Sequence, residues 1–309
     1  MTEQETRRRP DWIAADWGTS NLRLWRMTAA GKVLGPVLNG PGMGRLSPGE
    51  FEPSLLELLE ADLPESGSLT VICCGMVGAR QGWSEARYRA VPCTPPGFAE
   101  ATPAPARDPR LSVRILPGLS QSTPADVMRG EETQIAGFLA AEPGFDGVLC
   151  LPGTHCKWVH VSAGEIVSFR TFMTGEIFAL LAEQSVLRHS VAATEFEPAP
   201  FAEAVGRALS SPQALAGDLF SLRAESLLDG LDPAVARSRL SGLLIGAELA
   251  AARPYWLGRD VVVIGASGIA RSYAVALSGQ GLAARTTDAE QATLRGLCAA
   301  YAQIEETNG

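Results

Sequence analysis

Two short glycine-threonine loops, each set where an apolar run ends, constrain this chain more than any other feature. The first is Asp16-Trp17-Gly18-Thr19-Ser20-Asn21, fed by Trp12-Ile13-Ala14-Ala15; the second is Pro152-Gly153-Thr154-His155, fed by Val148-Leu149-Cys150-Leu151. A third junction runs from Val261-Val262-Val263-Ile264 into Gly265-Ala266-Ser267-Gly268. A short apolar run closed by glycine reads as a buried strand ending in a turn. Glycine there lets backbone N–H groups approach an anion closely, and threonine or serine adds hydroxyl donors. Three such loops suggest a phosphate channel built by two domains, and hence an ATP-dependent phosphotransferase rather than a binding module.

The order of elements around the loops narrows the fold. Residues 12–16 and 21–27 read as a strand pair, 33–38 as a third strand and 69–74 as a further one. Between them, Phe51, Leu55, Leu56 and Leu59 give helical spacing over 51–61. A dinucleotide-binding domain would instead feed its first strand directly into a helix. Residues 92–110, rich in proline and alanine, read as a surface crossover; 113–116 read as a strand and 125–141 as one helix. Around the second loop the same order echoes weakly, with strands at 148–151, 157–161 and 165–170 and a helix at 176–187. Residues 197–253 read as mostly helical. Strand 261–264, a helix over 270–277 and a final helix that Asp288 can cap follow. The expected domains are therefore 1–144, with the first phosphate loop and the substrate site, and 145–309, with the second phosphate loop and an adenosine loop. Helix 289–303 is expected to return to the first domain.

Composition excludes several classes. Of 309 residues, 46% are hydrophobic, enough for real cores and too many for disorder. The net charge of -8, with no basic block, argues against nucleic acid as a partner. No uninterrupted apolar span reaches membrane-crossing length, so no membrane partner is expected. Arg7, Arg8 and Arg9 precede no apolar segment and read as a frayed, soluble terminus rather than an export signal. Six cysteines in a chain of this length do not make a disulfide scaffold, and adjacent Cys73 and Cys74 read as buried thiols. Three unclustered histidines make no zinc site. A cytoplasmic enzyme is expected, with a homodimer left open.

Each candidate residue carries a chemical reason. Asp16 ends a buried strand beside the first turn, where a carboxylate needs pairing, water or a metal; it could hold the Mg2+ of a bound ATP. Gly18, Thr19 and Ser20 are placed to contact phosphate. Gly153 and Thr154 could cradle further phosphates, with Lys157 as a positive partner. Gly265, Ala266, Ser267 and Gly268 lack both the Walker lysine and the Gly-x-Gly-x-x-Gly spacing, and suit packing against an adenine or ribose. Asp126, Glu131 and Glu132 are the candidates for the base that takes a sugar hydroxyl proton; sequence leaves all three open, with Asp126 slightly ahead on its place before the helix. Arg80, Gln81, Gly82, Trp83 and Tyr88 form a polar-aromatic patch suited to a hydroxylated carboxylic acid, with Arg80 on the carboxylate.

Six stretches carry a family resemblance. They are Asp16-Trp17-Gly18-Thr19-Ser20-Asn21-Leu22-Arg23, Cys74-Gly75-Met76-Val77-Gly78-Ala79-Arg80-Gln81-Gly82-Trp83, Arg129-Gly130-Glu131-Glu132-Thr133-Gln134, Leu151-Pro152-Gly153-Thr154-His155-Cys156-Lys157-Trp158, Thr171-Phe172-Met173-Thr174-Gly175-Glu176 and Leu243-Leu244-Ile245-Gly246-Ala247-Glu248. In this order, over roughly residues 12–301, the chain resembles the 2-dehydro-3-deoxygalactonokinase family of the sugar-kinase, Hsp70 and actin superfamily. The resemblance implies an α/β, two-lobed actin-like ATPase (ribonuclease H-like) fold with a central inter-lobe cleft. It also implies ATP-dependent phosphorylation of 2-dehydro-3-deoxy-D-galactonate at its 6-hydroxyl, in D-galactonate catabolism. Arg188 stands where the family pattern has glycine, which bears on the local substrate wall. Three other readings are a kinase for another 2-dehydro-3-deoxy sugar acid, a polyphosphate or nucleotide phosphatase of the same fold, and an ATP-sensing protein without turnover.

Overall fold

The computed structural model describes residues 9–308; the expectation for Arg7 and Arg8 lies outside them. The first hairpin pairs β1 (Trp12–Trp17) with β2 (Asn21–Met27) antiparallel, so that Asp16 faces Arg23 and Trp17 faces Leu22. Residues 9–145 form one unit together with 163–167 and the C-terminal helix, and residues 146–162 with 168–288 form the other.

In the first unit, β3 (Val33–Pro41), helix α1 (Phe51–Leu59) and β4 (Leu69–Cys74) follow the hairpin. β5 (Tyr88–Ala90), β6 (Thr102–Pro103) and β7 (Leu111–Ile115) come next. The main sheet has the order β3-β2-β1-β4-β7-β6. β1, β4 and β7 run parallel, β2 is antiparallel to β1, and β3 is antiparallel to β2. Trp12, Ile13, Ala14, Ala15 and Trp17 are all fully buried, because β1 is central and both faces of the sheet are covered. α1 packs Phe51, Leu55 and Leu59 on one face with Trp17 and Leu22. On the other face, Trp12 stacks on Tyr301 of the C-terminal helix, with ring centroids 4.4 Å apart.

The segment read as one helix from residue 125 begins instead as a hairpin. β8 (Gly118–Ser122) turns into β9 (Ala125–Met128), and α2 (Glu131–Ala141) starts only at Glu131. Asp126 therefore sits in a strand opposite Gln121, not before the helix. β5, β8 and β9 make a small separate sheet.

The second unit repeats the plan. β10 (Gly147–Leu151), β11 (Cys156–Ser162) and β12 (Glu165–Phe172) lead to α3 (Thr174–Glu183), α4 (Pro198–Ser210), α5 (Leu215–Leu228), α6 (Pro233–Ala251) and the short α7 (Arg253–Trp256). β13 (Val261–Gly265), α8 (Ser267–Ser278) and β14 (Arg285–Asp288) complete it, and α9 (Ala289–Asn308) belongs to the first unit. The sheet order β12-β11-β10-β13-β14 matches that of the first unit, strand for strand over its first five members. β10, buried at every position, pairs parallel with β13. Asp288 ends the edge strand β14, a strand the sequence reading did not contain, immediately before α9.

Candidate functional site

The first loop is held from beneath by the chain leaving β3. Met43 N–H donates to the Gly18 carbonyl and Gly44 N–H to that of Thr19, both at 2.9 Å. Gly42 lies so close that an added Cβ would stand 2.2 Å from the Ser20 carbonyl carbon. Only glycine fits that approach. Thr19 and Ser20 stay exposed at the tip. Asp16, Gly18, Ser20, Asn21 and Arg23 line one small concavity. Arg23 holds the Asp16 carboxylate at 2.5 Å and reaches Glu290 at 3.0 Å. Burial disfavours the Arg23 charge, but Asp16 and Glu290 outweigh it and raise its pKa. The Cys74 thiol lies 3.9 Å from the other Asp16 oxygen.

The second loop is held the same way by the chain leaving β12. Glu176 N–H donates to the Thr154 carbonyl at 2.9 Å, and an added Cβ on Gly175 would stand 2.2 Å from the Gly153 carbonyl oxygen. His155 Nε2 and Glu176 Oε2 are 2.6 Å apart. Lys157 is buried, 4% exposed, and donates to the His155 carbonyl at 3.1 Å; it props the loop from below.

Within the same unit a cavity of about 430 Å³ joins two of the sequence-derived loops, since Gly153 and Gly268 both line it. Its walls include Thr174, Phe178, Ile245, Ile269 and Tyr273, an apolar enclosure with a few polar groups. Gly265 and Ser267 open on a neighbouring hollow with Thr287 and Asp288, and Ala266 caps α8. Under the cavity lies a residue the sequence reading gave no role. Glu248, 3% exposed on α6, accepts hydrogen bonds from Trp158 Nε1 at 2.7 Å, Tyr273 Oη at 2.8 Å and the Thr174 hydroxyl. Burial raises its pKa, against the lowering effect of Cys156, Thr174, Trp158 and Tyr273. A charged residue inside the apolar run Leu243–Leu249 was the available signal.

The acidic candidates separate. Asp126 Oδ1 accepts from the Val127 N–H at 2.8 Å, within its own hairpin. Glu132 is 1% exposed, and both its oxygens accept from the Gly130 N–H, at 2.9 and 2.7 Å. Burial, then the Glu131 charge, push Glu132 up to about 8, while Gly130 and Arg129 oppose this. Glu131, half-buried at the first turn of α2, accepts from the Arg129 N–H at 3.1 Å. Gly130, at φ +107°, turns the chain here beside Gly75; an added Cβ would lie 3.3 Å from the Gly75 Cα. Asp16 and Glu132 both bear on the Cys74 thiol, which places them in one neighbourhood.

The polar-aromatic patch does not act as a single surface. Arg80 is 81% exposed and paired with Glu85 at 3.4 Å. Trp83, expected to face a sugar, instead stacks on Phe51, with centroids 6.2 Å apart, and edges onto Trp17. Gly82 donates to the Ala79 carbonyl in a tight turn and Gln81 is exposed. Tyr88 is 42% exposed, and its ring covers the Arg129 guanidinium. Arg188 is exposed in a 3-10 turn of the second unit, donating to the Ser185 carbonyl.

The family model described as 2-keto-3-deoxy-galactonokinase matches residues 16–300. A probable 2-dehydro-3-deoxygalactonokinase of Rhizobium meliloti is 41% identical over 95% of this chain and 97% of its own. The 2-dehydro-3-deoxygalactonokinase of Escherichia coli is 34% identical over 91% of this chain and 89% of its own. The crystal structure of a putative 2-dehydro-3-deoxygalactonokinase from Sinorhizobium meliloti superposes with a TM-score of 0.88, at 41% identity, covering 95% of this chain and 99% of that one. Component A of (R)-2-hydroxyglutaryl-CoA dehydratase from Acidaminococcus fermentans, 13% identical with a TM-score of 0.52, covering 95% of this chain and 98% of that one, shares the fold alone.

Proposed function

The chain belongs to the 2-keto-3-deoxy-galactonokinase family, and from that premise we propose that it phosphorylates 2-dehydro-3-deoxy-D-galactonate at the 6-hydroxyl with ATP, in D-galactonate catabolism. The observation that carries the nucleotide half is the shared cavity. Gly153 from the second loop and Gly268 from the third line one apolar pocket of about 430 Å³, a size suited to a nucleoside. Thr154 and the backbone N–H groups of that loop face anionic oxygens, and Gly265, Ala266 and Ser267 lie along the adenosine side.

Gly18, Thr19 and Ser20 give the first unit its own phosphate-contacting turn. Asp16 suits Mg2+ that arrives with the nucleotide. Such an ion needs only one or two carboxylates beside phosphate and water, and no cluster of three or more ligating side chains exists among the described residues. When bound, the ion would offset phosphate charge. Glu131 is the base in this reading. It is half-buried at the first turn of α2, whereas Glu132 is fully buried and Asp126 lies in the β8–β9 hairpin away from that helix start. As the sugar hydroxyl oxygen bonds to the γ-phosphorus of ATP and the bond to the β,γ-bridging oxygen breaks to release ADP, the hydroxyl proton passes to the Glu131 carboxylate.

No helix among the described residues is long and apolar enough to cross a membrane, and the cysteines are all free thiols. Both suit a cytoplasmic kinase. The test is a coupled assay with ATP, magnesium and a panel of 2-dehydro-3-deoxy sugar acids. Turnover confined to the galactonate-derived acid supports the reading. Preference for another epimer would move the substrate, and phosphate release without any sugar acid would make the protein a phosphatase.

A further inference from the structure

A buried cation in the first unit has no part in the roles above. Arg129, between β9 and α2, is 8% exposed. Its Nη2 donates to the Ala86 carbonyl at 2.7 Å, while Nε and Nη1 are buried without a hydrogen-bond partner. No carboxylate among the described residues forms an ion pair with its guanidinium; Arg129 acts on Glu132 through space only, and burial keeps that carboxyl largely neutral by pushing it up to about 8. A guanidinium in that state is costly unless something supplies the missing acceptors and the counter-charge.

What covers it is informative. The Tyr88 ring lies over it, 4.3 Å from centroid to guanidinium carbon. Gly78 lies beside it, where an added Cβ would come within 2.9 Å of Nη1. Gly78 and Ala86 belong to the connection from β4 to β5, which between those strands holds only the single 3-10 turn Met76–Gly78, and Tyr88 is the first residue of β5, the edge strand of the small sheet. Tyr88 itself is 42% exposed. The cover is thus a loop and the exposed ring of a residue at the start of an edge strand. Arg80, the arginine sequence reasoning put on the carboxylate, is 81% exposed and already paired with Glu85; water and Glu85 leave its charge largely satisfied.

We propose that Arg129 binds the carboxylate of the sugar acid, uncovered when the Tyr88 ring and the loop of residues 79–87 swing aside while β5 stays paired. This rests on the sugar-acid kinase reading above. A carboxylate brings both things the guanidinium lacks, acceptor oxygens for its unpartnered N–H groups and a negative charge. The cation–π contact with Tyr88 and the single Ala86 bond hold the guanidinium in place until then.

The experiment compares wild type, Arg129→Met and Arg129→Lys on 2-dehydro-3-deoxy-D-galactonate and on its uncharged carboxamide, with ATP KM and thermal melts measured alongside. Wild type should favour the acid over the amide by on the order of 100-fold in kcat/KM. Arg129→Met should lose roughly that factor on the acid alone, so the preference collapses to within about 3-fold. Its ATP KM should hold, and its Tm should stay level or rise, because an uncompensated buried charge is gone. Arg129→Lys should recover part of the preference, and it carries the comparison if the methionine variant does not fold. An intact acid preference in both variants, or none in wild type, overturns the proposal. If wild type phosphorylates neither compound, the kinase reading fails, and calorimetric binding of the acid decides this one. Weaker binding to Arg129→Met supports it, and equal or absent binding overturns it.

Discussion

Beside the first hairpin loop Asp16 faces Arg23 across the strand pair, and at the matching position beside the second Cys150 faces Trp158. The two loops otherwise share a construction. Each joins the first two strands of a sheet with the same strand order. Each is gripped by a glycine that follows the third strand, Gly42 in one and Gly175 in the other. The backbone plan is common and the side chains divide the labour. The first loop keeps a carboxylate at its root, paired with Arg23. The second keeps a buried lysine under it, and the Trp158 indole beside it is tied to a sealed glutamate. One backbone plan that offers N–H groups to an anion thus carries different charges at its root through two or three residues.

The largest expected effect tests whether the first unit alone supplies the acid chemistry. Glu131→Gln should slow single-turnover phosphoryl transfer about 1000-fold with both substrates still bound, while Asp126→Asn stays near wild type. A collapse in Glu132→Gln with Glu131→Gln active would move the base one residue along. Normal rates in all three would remove this segment from catalysis.

Asp16→Asn comes next. Turnover should fall on the order of 100-fold and the magnesium requirement should rise, with native circular dichroism. Near-normal activity at limiting magnesium would erase the charge distinction between the loops.

The two buried glutamates sharpen the comparison through pH. Glu132 titrates near 8 in the folded protein, above its ordinary 4.5. Neutral Glu132 therefore contributes its full stability below about pH 4.5, and that contribution is lost as pH rises through about 8. Glu132→Gln should escape the loss and exceed wild type by on the order of 4 kcal/mol at pH 8, with little difference at pH 4. Glu248 also has a raised pKa, but it accepts from Trp158, Thr174 and Tyr273. Glu248→Gln should destabilise, because one acceptor oxygen is replaced by a donor. Denaturant melts at the two pH values check both signs.

A smaller contrast comes from the gripping glycines. Gly175→Ala should raise the ATP KM about 10-fold and spare the sugar-acid KM, since its Cβ would strike the second loop. Gly42→Ala, striking the first loop, should lower kcat by a similar factor. Identical kinetic signatures would mean the loops share one task. Smallest of all, Arg80→Ala should change the sugar-acid KM by less than about 3-fold, in keeping with an exposed pair. A 100-fold rise would return the carboxylate to Arg80.

Both hairpins and the parallel strands beside them were legible because buried strands leave continuous apolar runs closed by glycine. The β8–β9 hairpin was not. Pro124 followed by Ala125 and Asp126 carries helix-start chemistry, and β9 is a short strand with only Met128 buried. β14 escaped notice because Arg285, Thr286, Thr287 and Asp288 show no apolar pattern; its partner β13 makes it a strand. Trp83 looked like a sugar platform because sequence shows an aromatic near arginines and not the Phe51 ring it stacks on.

By itself, the sequence determined where the loops fall and that the plan is repeated, since burial and turning are written in neighbouring residues. Only the tertiary structure decided which acid is fully buried, that two guanidinium nitrogens of Arg129 are left without hydrogen-bond partners, and that Glu248 ties Trp158, Thr174 and Tyr273 together. Desolvation and hydrogen-bond partnership depend on what distant segments bring to a side chain, and Trp158 and Glu248 meet across 90 residues of chain.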